Sequence, residues 1–262
     1  RFMNHWIITV YMILSSAILQ NCIEAPLNIS FDTPAEMWEE TLPLGNGRLG
    51  AMPNGGILKE TLVLNEETMW SGSEWDPANP DAQKWLPLIR QKLLEGDNLG
   101  AEELVLEHFT CSGGGGTNPR YGNYQTLGNI TIDFSEMKFD EKTVTEYSRW
   151  LSLNEALSKT TFSFEYEGKK AKFYREYFVS IPENVIVVYL KTENAPLKFS
   201  YKLNRKERAE IENKDGISTM RGILNSGDEE KEGVRYFSEA KTFRQNDNEA
   251  IIFISAATNY KK

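Results

Sequence analysis

Beyond residue 120 the chain is a succession of short runs in which apolar and polar residues alternate, divided by Gly, Asn, Asp and Pro. In 161–166 (TFSFEY) three aromatics fall on one side and polar residues on the other, the period of a half-buried strand. On this pattern strands are expected over 126–134, 147–153, 160–166, 170–180, 184–192, 197–203, 216–223, 234–243 and 249–256. Glu167-Gly168 supplies a hairpin turn into the run that starts at Lys170. Upstream, 48–52 and 57–65 read as a hairpin across Pro53-Asn54-Gly55-Gly56. Between that hairpin and the strand-rich remainder the period lengthens. Residues 81–95 carry Trp85, Leu86, Ile89 and Leu93 at helical spacing with Gly96 as a stop, and Pro87 is expected to kink this helix or begin its second part. A second helix over 98–109 groups Leu104, Val105, His108 and Phe109, with Asp97 or Asn98 as its cap. The fold class is therefore mainly β, an antiparallel sandwich with two short helices inserted after the first hairpin.

The first 25 residues follow a different pattern. Ile7 to Leu19 is an apolar run of about a dozen residues behind Arg1 and His5. That is short of the roughly 20 residues of a membrane-spanning helix and fits the core of a secretory signal. Residues 1–25 are accordingly expected to be a signal peptide, with cleavage after Ala25 and lipid attachment at Cys22 as the alternative. Export follows, to a periplasmic, secreted or surface-anchored location.

Composition narrows the chemistry. The 262 residues carry a net charge of −9, which disfavours a phosphate-backbone partner, so no nucleic acid is expected. Two Cys and two His at these spacings build no closed zinc site, and no metal or other cofactor is expected. Cys111 reads as a small residue of a Gly-rich loop, and His108 as an ordinary helix residue. The loop CSGGGGTN lacks the Lys-Ser/Thr ending of a phosphate cradle. Glu66 and Glu67 are adjacent, hence on opposite faces of a strand, and read as a polar strand end. Asp76 and Asp81 read as turn and helix-start residues.

The densest cluster of unusual residues lies between Trp38 and Gly72. Asn46 and Arg48, set among glycines, either stabilise their loop, dock another domain, or offer an amide and a guanidinium to sugar hydroxyls. Trp70 and Trp38 read first as core; for Trp70 the alternative is packing on a sugar face.

Six segments in order carry a family resemblance: LPLGNGRLGAM at 42–52, LNEETMWSG at 64–72, YQTLGNITIDF at 124–134, YSRWLSLNEA at 147–156, YREYFVSIPENVIVVYL at 174–190 and ISAATNY at 254–260. Over residues 29–262 the chain resembles the N-terminal domain of glycoside hydrolase family 95, the inverting α-L-fucosidases. The resemblance implies a β-supersandwich over 26–262 and, in the same polypeptide, a catalytic helical toroid holding the acid and the water-activating group. It implies a fucosylated oligosaccharide or polysaccharide as substrate, and no catalytic residue within this chain. It also places the Gly-rich stretch facing the toroid, with Asn46, Arg48 and Trp70 bordering its pocket. The abrupt end after a strand reads as a fragment or a domain boundary. The competing expectations are a stand-alone carbohydrate-binding sandwich and a structural surface domain.

Overall fold

A computed structural model describes residues 27–111 and 118–260; the expected signal segment, Cys22 and most of the Gly-rich loop lie outside the described residues. In chain order the strands are β1 (Asn28–Phe31), β2 (Leu44–Gly45), β3 (Leu49–Pro53), β4 (Lys59–Glu66), β5 (Gly128–Asp133), β6 (Thr145–Ser152), β7 (Leu157–Tyr166), β8 (Lys169–Ser180), β9 (Val185–Glu193), β10 (Ser200–Asn204), β11 (Glu210–Lys214), β12 (Ile217–Ile223), β13 (Arg235–Asn246) and β14 (Glu249–Thr258). Between β4 and β5 stand two helices, α1 (Ala82–Leu94) and α2 (Asn98–His108). Pro87 lies inside α1, which continues through it as one helix. Pro87 is the sixth residue of the helix, past the N–H groups that have no intrahelical partner, so its missing N–H removes one bond from the helix without ending it.

Nine strands form one sheet in the order β1-β6-β7-β8-β9-β14-β13-β12-β11, and five form the other in the order β10-β5-β4-β3-β2. All pairings are antiparallel, as the mainly β, two-sheet expectation requires. The inner faces meet in one apolar layer: Leu62, Leu64, Ile130 and Ile132 from the small sheet against Phe162, Phe164, Phe173, Val188 and Ile252 from the large one. Such a layer is the main source of stability for a two-sheet domain.

The alternation in β4 has an unexpected consequence. Glu60, Leu62, Leu64 and Glu66 share the inward register and all four are fully buried. Glu60 accepts hydrogen bonds from Arg175 Nη1, from the Tyr177 hydroxyl and from the Gly55 amide, each at 2.9 Å. Arg175 also donates to the carbonyls of Gly56 and Ile57, and its guanidinium lies 4.2 Å from the Phe134 ring centre and 4.3 Å from that of Phe173. A charge inside an apolar layer is costly unless it is paired and hydrogen-bonded; Arg175 meets this through Nη1 and Nη2, while its buried Nε has no hydrogen-bond partner. Burial pushes the Glu60 carboxyl up, against the pull of Arg175. The same burial, with Glu60 nearby, holds the Tyr177 phenol well above its ordinary value.

In the middle of the nine-stranded sheet Tyr189 on β9 donates to Glu249 on β14. Burial and that hydrogen bond push the phenol up to about 12. The folded value lies above the unfolded value near 10, so the neutral phenol adds stability that is whole below about pH 10 and is lost as pH rises through about 12. Urea unfolding measured from pH 9 to 12 is expected to show this loss in the native chain and a flatter profile in Tyr189→Phe.

Candidate functional site

The connection from β4 to β5 leaves the sandwich as two legs that run side by side. Ser71 N donates to the Asn123 carbonyl at 3.0 Å, Ser73 N to that of Arg120 at 3.1 Å, and Asn123 N returns to the Ser71 hydroxyl at 2.8 Å. Glycine is required where the legs touch. Gly72 has φ +94°, and a Cβ there would sit 2.5 Å from the Arg120 carbonyl oxygen; Gly122 has φ +71°, and a Cβ would sit 1.9 Å from that of Ser71. Gly72 N also donates to the Asn225 carbonyl at 2.7 Å, and Arg120 pairs with Asp228 at 3.1 Å, which draws in the loop after β12.

These legs, that loop and the end of β14 enclose a cleft of about 640 Å³. Trp70, Tyr121 and Tyr260 supply rings; Glu74, Arg120 and Glu232 supply charge. Trp70 meets Tyr124 edge to face at 5.8 Å, and Trp75 meets Tyr121 at 6.2 Å in the same manner. Flat apolar rings beside carboxylates and guanidinium groups suit a ligand with one apolar face and many hydroxyls. Acid catalysis is a different matter. Arg235 hydrogen-bonds Glu232 and holds its carboxyl below the usual range, which makes it a poor proton donor. Among the described residues no three His, Cys, Asp or Glu side chains gather as a metal would require.

Arg48 and Trp70 come together through a chain of contacts, and Asn46 turns away from them. Arg48 Nε lies 3.5 Å from Glu66 Oε1, and the guanidinium is half exposed. Glu66 Oε2 accepts from the Thr68 amide at 2.8 Å and hydroxyl at 2.6 Å, and Thr68 touches the Thr258 hydroxyl at the end of β14. The Tyr124 hydroxyl donates to Asn65 Oδ1 at 3.0 Å; burial and the Glu66 charge push this phenol up. The Trp70 indole N–H donates to the Glu67 carbonyl at 3.2 Å. Asn46, by contrast, gives both amide hydrogens to the β8–β9 turn, at Ser180 O (2.8 Å) and Asn184 Oδ1 (2.9 Å). Its carbonyl accepts from the amides of Arg48 and Leu49. Asn46 thus shapes the Arg48 loop and fastens it to the other sheet.

The structure corrects several expectations here. Trp70 is 44% exposed and Trp38 is 57% exposed, so neither is core; Trp38 opens a short 3-10 helix, and Trp70 lies past the end of β4, joined to Tyr124 by an isolated bridge. Glu66 is the last residue of β4, as expected of a polar strand end, but the register of the strand turns it inward and buries it. His108 stacks on Trp85 with ring centres 3.6 Å apart, and Cys111 is an exposed free thiol. Tyr121, Tyr124, Arg120 and Glu232 escaped sequence reasoning. The only signal for the first three was the unusual density of ring and guanidinium residues in PRYGNY at 119–124.

With this geometry in hand, comparison with known proteins identifies the frame. Residues 29–262 match the family described as glycosyl hydrolase family 65, N-terminal domain. Alpha-L-fucosidase 2 of Arabidopsis thaliana is 30% identical over 203 residues, 76% of this chain and 22% of that protein. A protein of Aspergillus niger named "Probable alpha-fucosidase A" is 33% identical over 160 residues, 58% of this chain and 18% of that protein. A protein of the same name from Aspergillus oryzae is 26% identical over 178 residues, 64% of this chain and 22% of that protein. The chain thus spans about a fifth of the length of these relatives. It belongs to this family of glycosyl hydrolase N-terminal domains, as a domain of the family 95-like, α-fucosidase-related kind that its motifs resemble.

Proposed function

We propose that this chain is the N-terminal β-sandwich of an exported, inverting α-L-fucosidase-type glycoside hydrolase. Joined to a catalytic helical toroid in the same polypeptide, it serves hydrolysis of terminal α-L-fucosyl, or related galactosyl, residues of glycans. The observation that carries the reading is the match over residues 29–262 to a glycosyl hydrolase N-terminal domain, together with relatives named as α-fucosidases. The chemistry of the chain agrees with a supporting role. Inversion needs an acid and a base about 6.5–9.5 Å apart across the sugar. The cleft instead offers rings and an arginine-clamped carboxylate, and Arg48, outside the cleft lining, stands half exposed on Glu66; these are groups that hold rather than cleave.

In this reading Trp70 and Arg48 stand at the end of the sandwich that meets the toroid and border its sugar pocket, with Asn46 fixing the loop that presents Arg48. The test is hydrolysis of an aryl α-L-fucoside by the whole polypeptide and by this chain alone. The whole polypeptide is expected to turn over and the 262-residue chain is not. Trp70→Ala and Arg48→Ala in the whole polypeptide are expected to lower kcat/KM about tenfold each, the size of one lost ring or charge-assisted contact. Unchanged kcat/KM in both variants overturns the pocket-border role.

A second reading, a free-standing carbohydrate-binding sandwich, is favoured by one observation, the exposed rings of the cleft. Calorimetric titration of this chain with fucosylated oligosaccharides separates the two. Binding lost in Trp70→Ala supports the second reading, and absence of binding removes it.

A further inference from the structure

The α1–α2 hairpin exposes far more apolar surface than an independent element should. The helices pack on one another through Trp85, Ile89, Ala101 and His108. Away from that seam, Leu94 is 89% exposed, Leu99 75% and Leu106 68%, and Phe109 is also exposed. A helix that faces solvent on its outer side carries polar residues there. On α2 the outer side carries Leu99 and Leu106 beside Glu102 and Glu103, with Phe109 just past the helix end, while the inner side carries Ala101, Leu104 and His108. Apolar residues on both sides mark a helix with partners on both sides, and this chain supplies one of them.

The hairpin is also anchored firmly enough to present that surface. Asn79 donates its amide to the carbonyls of His108 (3.2 Å) and Thr110 (3.0 Å), closing the base. Asp97 caps α2 by accepting from Gly100 N at 3.0 Å and pairs with Lys92 at 2.6 Å, closing the tip. Its two legs are the ones that line the cleft with Trp70 and Tyr121.

We infer that the outer face of α2, with Leu94 of α1, is a docking arm for the apolar helical surface of the catalytic domain in the same polypeptide. The inference rests on the function proposed above, which supplies the occupant. The room for it comes from the relatives, in which roughly four-fifths of the polypeptide lies beyond the matched part. Leucines and a phenylalanine at helical spacing fit the ridges and grooves of another helix. The arm leaves the sandwich at the end where Arg48 and Trp70 stand, so one approach of the partner engages both.

Amide hydrogen exchange on this chain and on the whole polypeptide tests the inference independently of turnover. Exchange over 86–94 and 99–108 is expected to slow at least about tenfold in the whole polypeptide. Leu99→Glu/Leu106→Glu is expected to abolish that slowing while leaving exchange in β7 and β8 unchanged. Equal exchange in the two proteins overturns the inference. So does protection that falls instead on the exposed outer face of the large sheet, around Phe178 and Phe253. A dimer of the 262-residue chain in sedimentation, dissolved by the same double variant, overturns it in favour of a second copy. An inactive whole polypeptide that still protects the hairpin refutes the hydrolase reading and leaves the docking arm standing.

Discussion

Arg175→Met is expected to lower the unfolding free energy of this domain by about 3–5 kcal/mol, the range measured when one partner of a buried ion pair is removed. The cause is the group left behind. Glu60 is fully buried, and among the described residues Arg175 is its only charged hydrogen-bond partner; the others are the Tyr177 hydroxyl and the Gly55 amide. The variant also frees the carbonyls of Gly56 and Ile57, which Arg175 bonds from across the sandwich. For a domain of this size the loss corresponds to a fall of roughly 10 °C in Tm, read by calorimetry. The double variant Glu60→Leu/Arg175→Met is expected to recover most of the loss, since apolar residues of similar volume replace a buried pair at little cost. If the single variant melts within about 1 °C of the native chain, the network is not what joins the sheets at this point. A double variant no better than the single one would show that Arg175 matters for packing on Phe134 and Phe173 rather than for charge.

The same network shows what the sequence made legible and what it did not. Elements with a clear period were placed within about three residues at each end: the β3–β4 hairpin, both helices, and the long strands β7, β8, β13 and β14. Three edge elements were missed, among them β2 (Leu44–Gly45), whose two residues can carry no period. β11 (Glu210–Lys214) is exposed at every position, so no face is selected and no alternation is written into it. β1 (Asn28–Phe31) is four exposed residues, too short a run to show a period and held only by pairing with β6. The strand expected at 197 begins at Ser200, because Leu197 is spent in side bonds to Asp247 and Arg244 after Pro196. For the candidate site the limits have another origin. Alternation alone placed Glu60 and Glu66 on the same face as Leu62 and Leu64, yet carboxylates are read as outward unless their partners are visible. Those partners arrive from elsewhere in the chain, Arg175 from β8, 115 residues beyond Glu60, and Arg48 from the turn between β2 and β3. Arg48 and Trp70 could be nominated from their glycine-rich setting. That Asn46 belongs to the β8–β9 turn instead could not, since Ser180 and Asn184 lie 134 and 138 residues further on.

Gly122→Ala is expected to cost on the order of 3 kcal/mol and to open the cleft, a larger effect than at glycines whose φ is also positive but whose surroundings are empty. Two costs combine. The left-handed backbone at φ +71° costs a side chain about 1–3 kcal/mol. The added Cβ would then lie 1.9 Å from the Ser71 carbonyl oxygen and 3.2 Å from Gly72 Cα, so one leg of the connection must move away from the other. Neither contact is a flexible side chain that can swing aside. Gly47 is the control: its φ is +90° with nothing within 4 Å of an added Cβ, so Gly47→Ala is expected to cost only about 1–2 kcal/mol. The difference between the two variants in urea unfolding reports the clash together with the extra cost of the Gly122 backbone, whose ψ of 164° lies in a region essentially confined to glycine. Moving the legs apart breaks the bonds from Ser71 and Ser73 to Asn123 and Arg120, and with them the wall that holds Trp70 beside Tyr124. Indole fluorescence should therefore shift to the red in Gly122→Ala under native conditions and stay in place in Gly47→Ala. Equal unfolding free energies in the two variants would mean that the legs part without cost. The glycines at 72 and 122 would then mark a loose connection rather than the joint on which the cleft and the helical arm both depend.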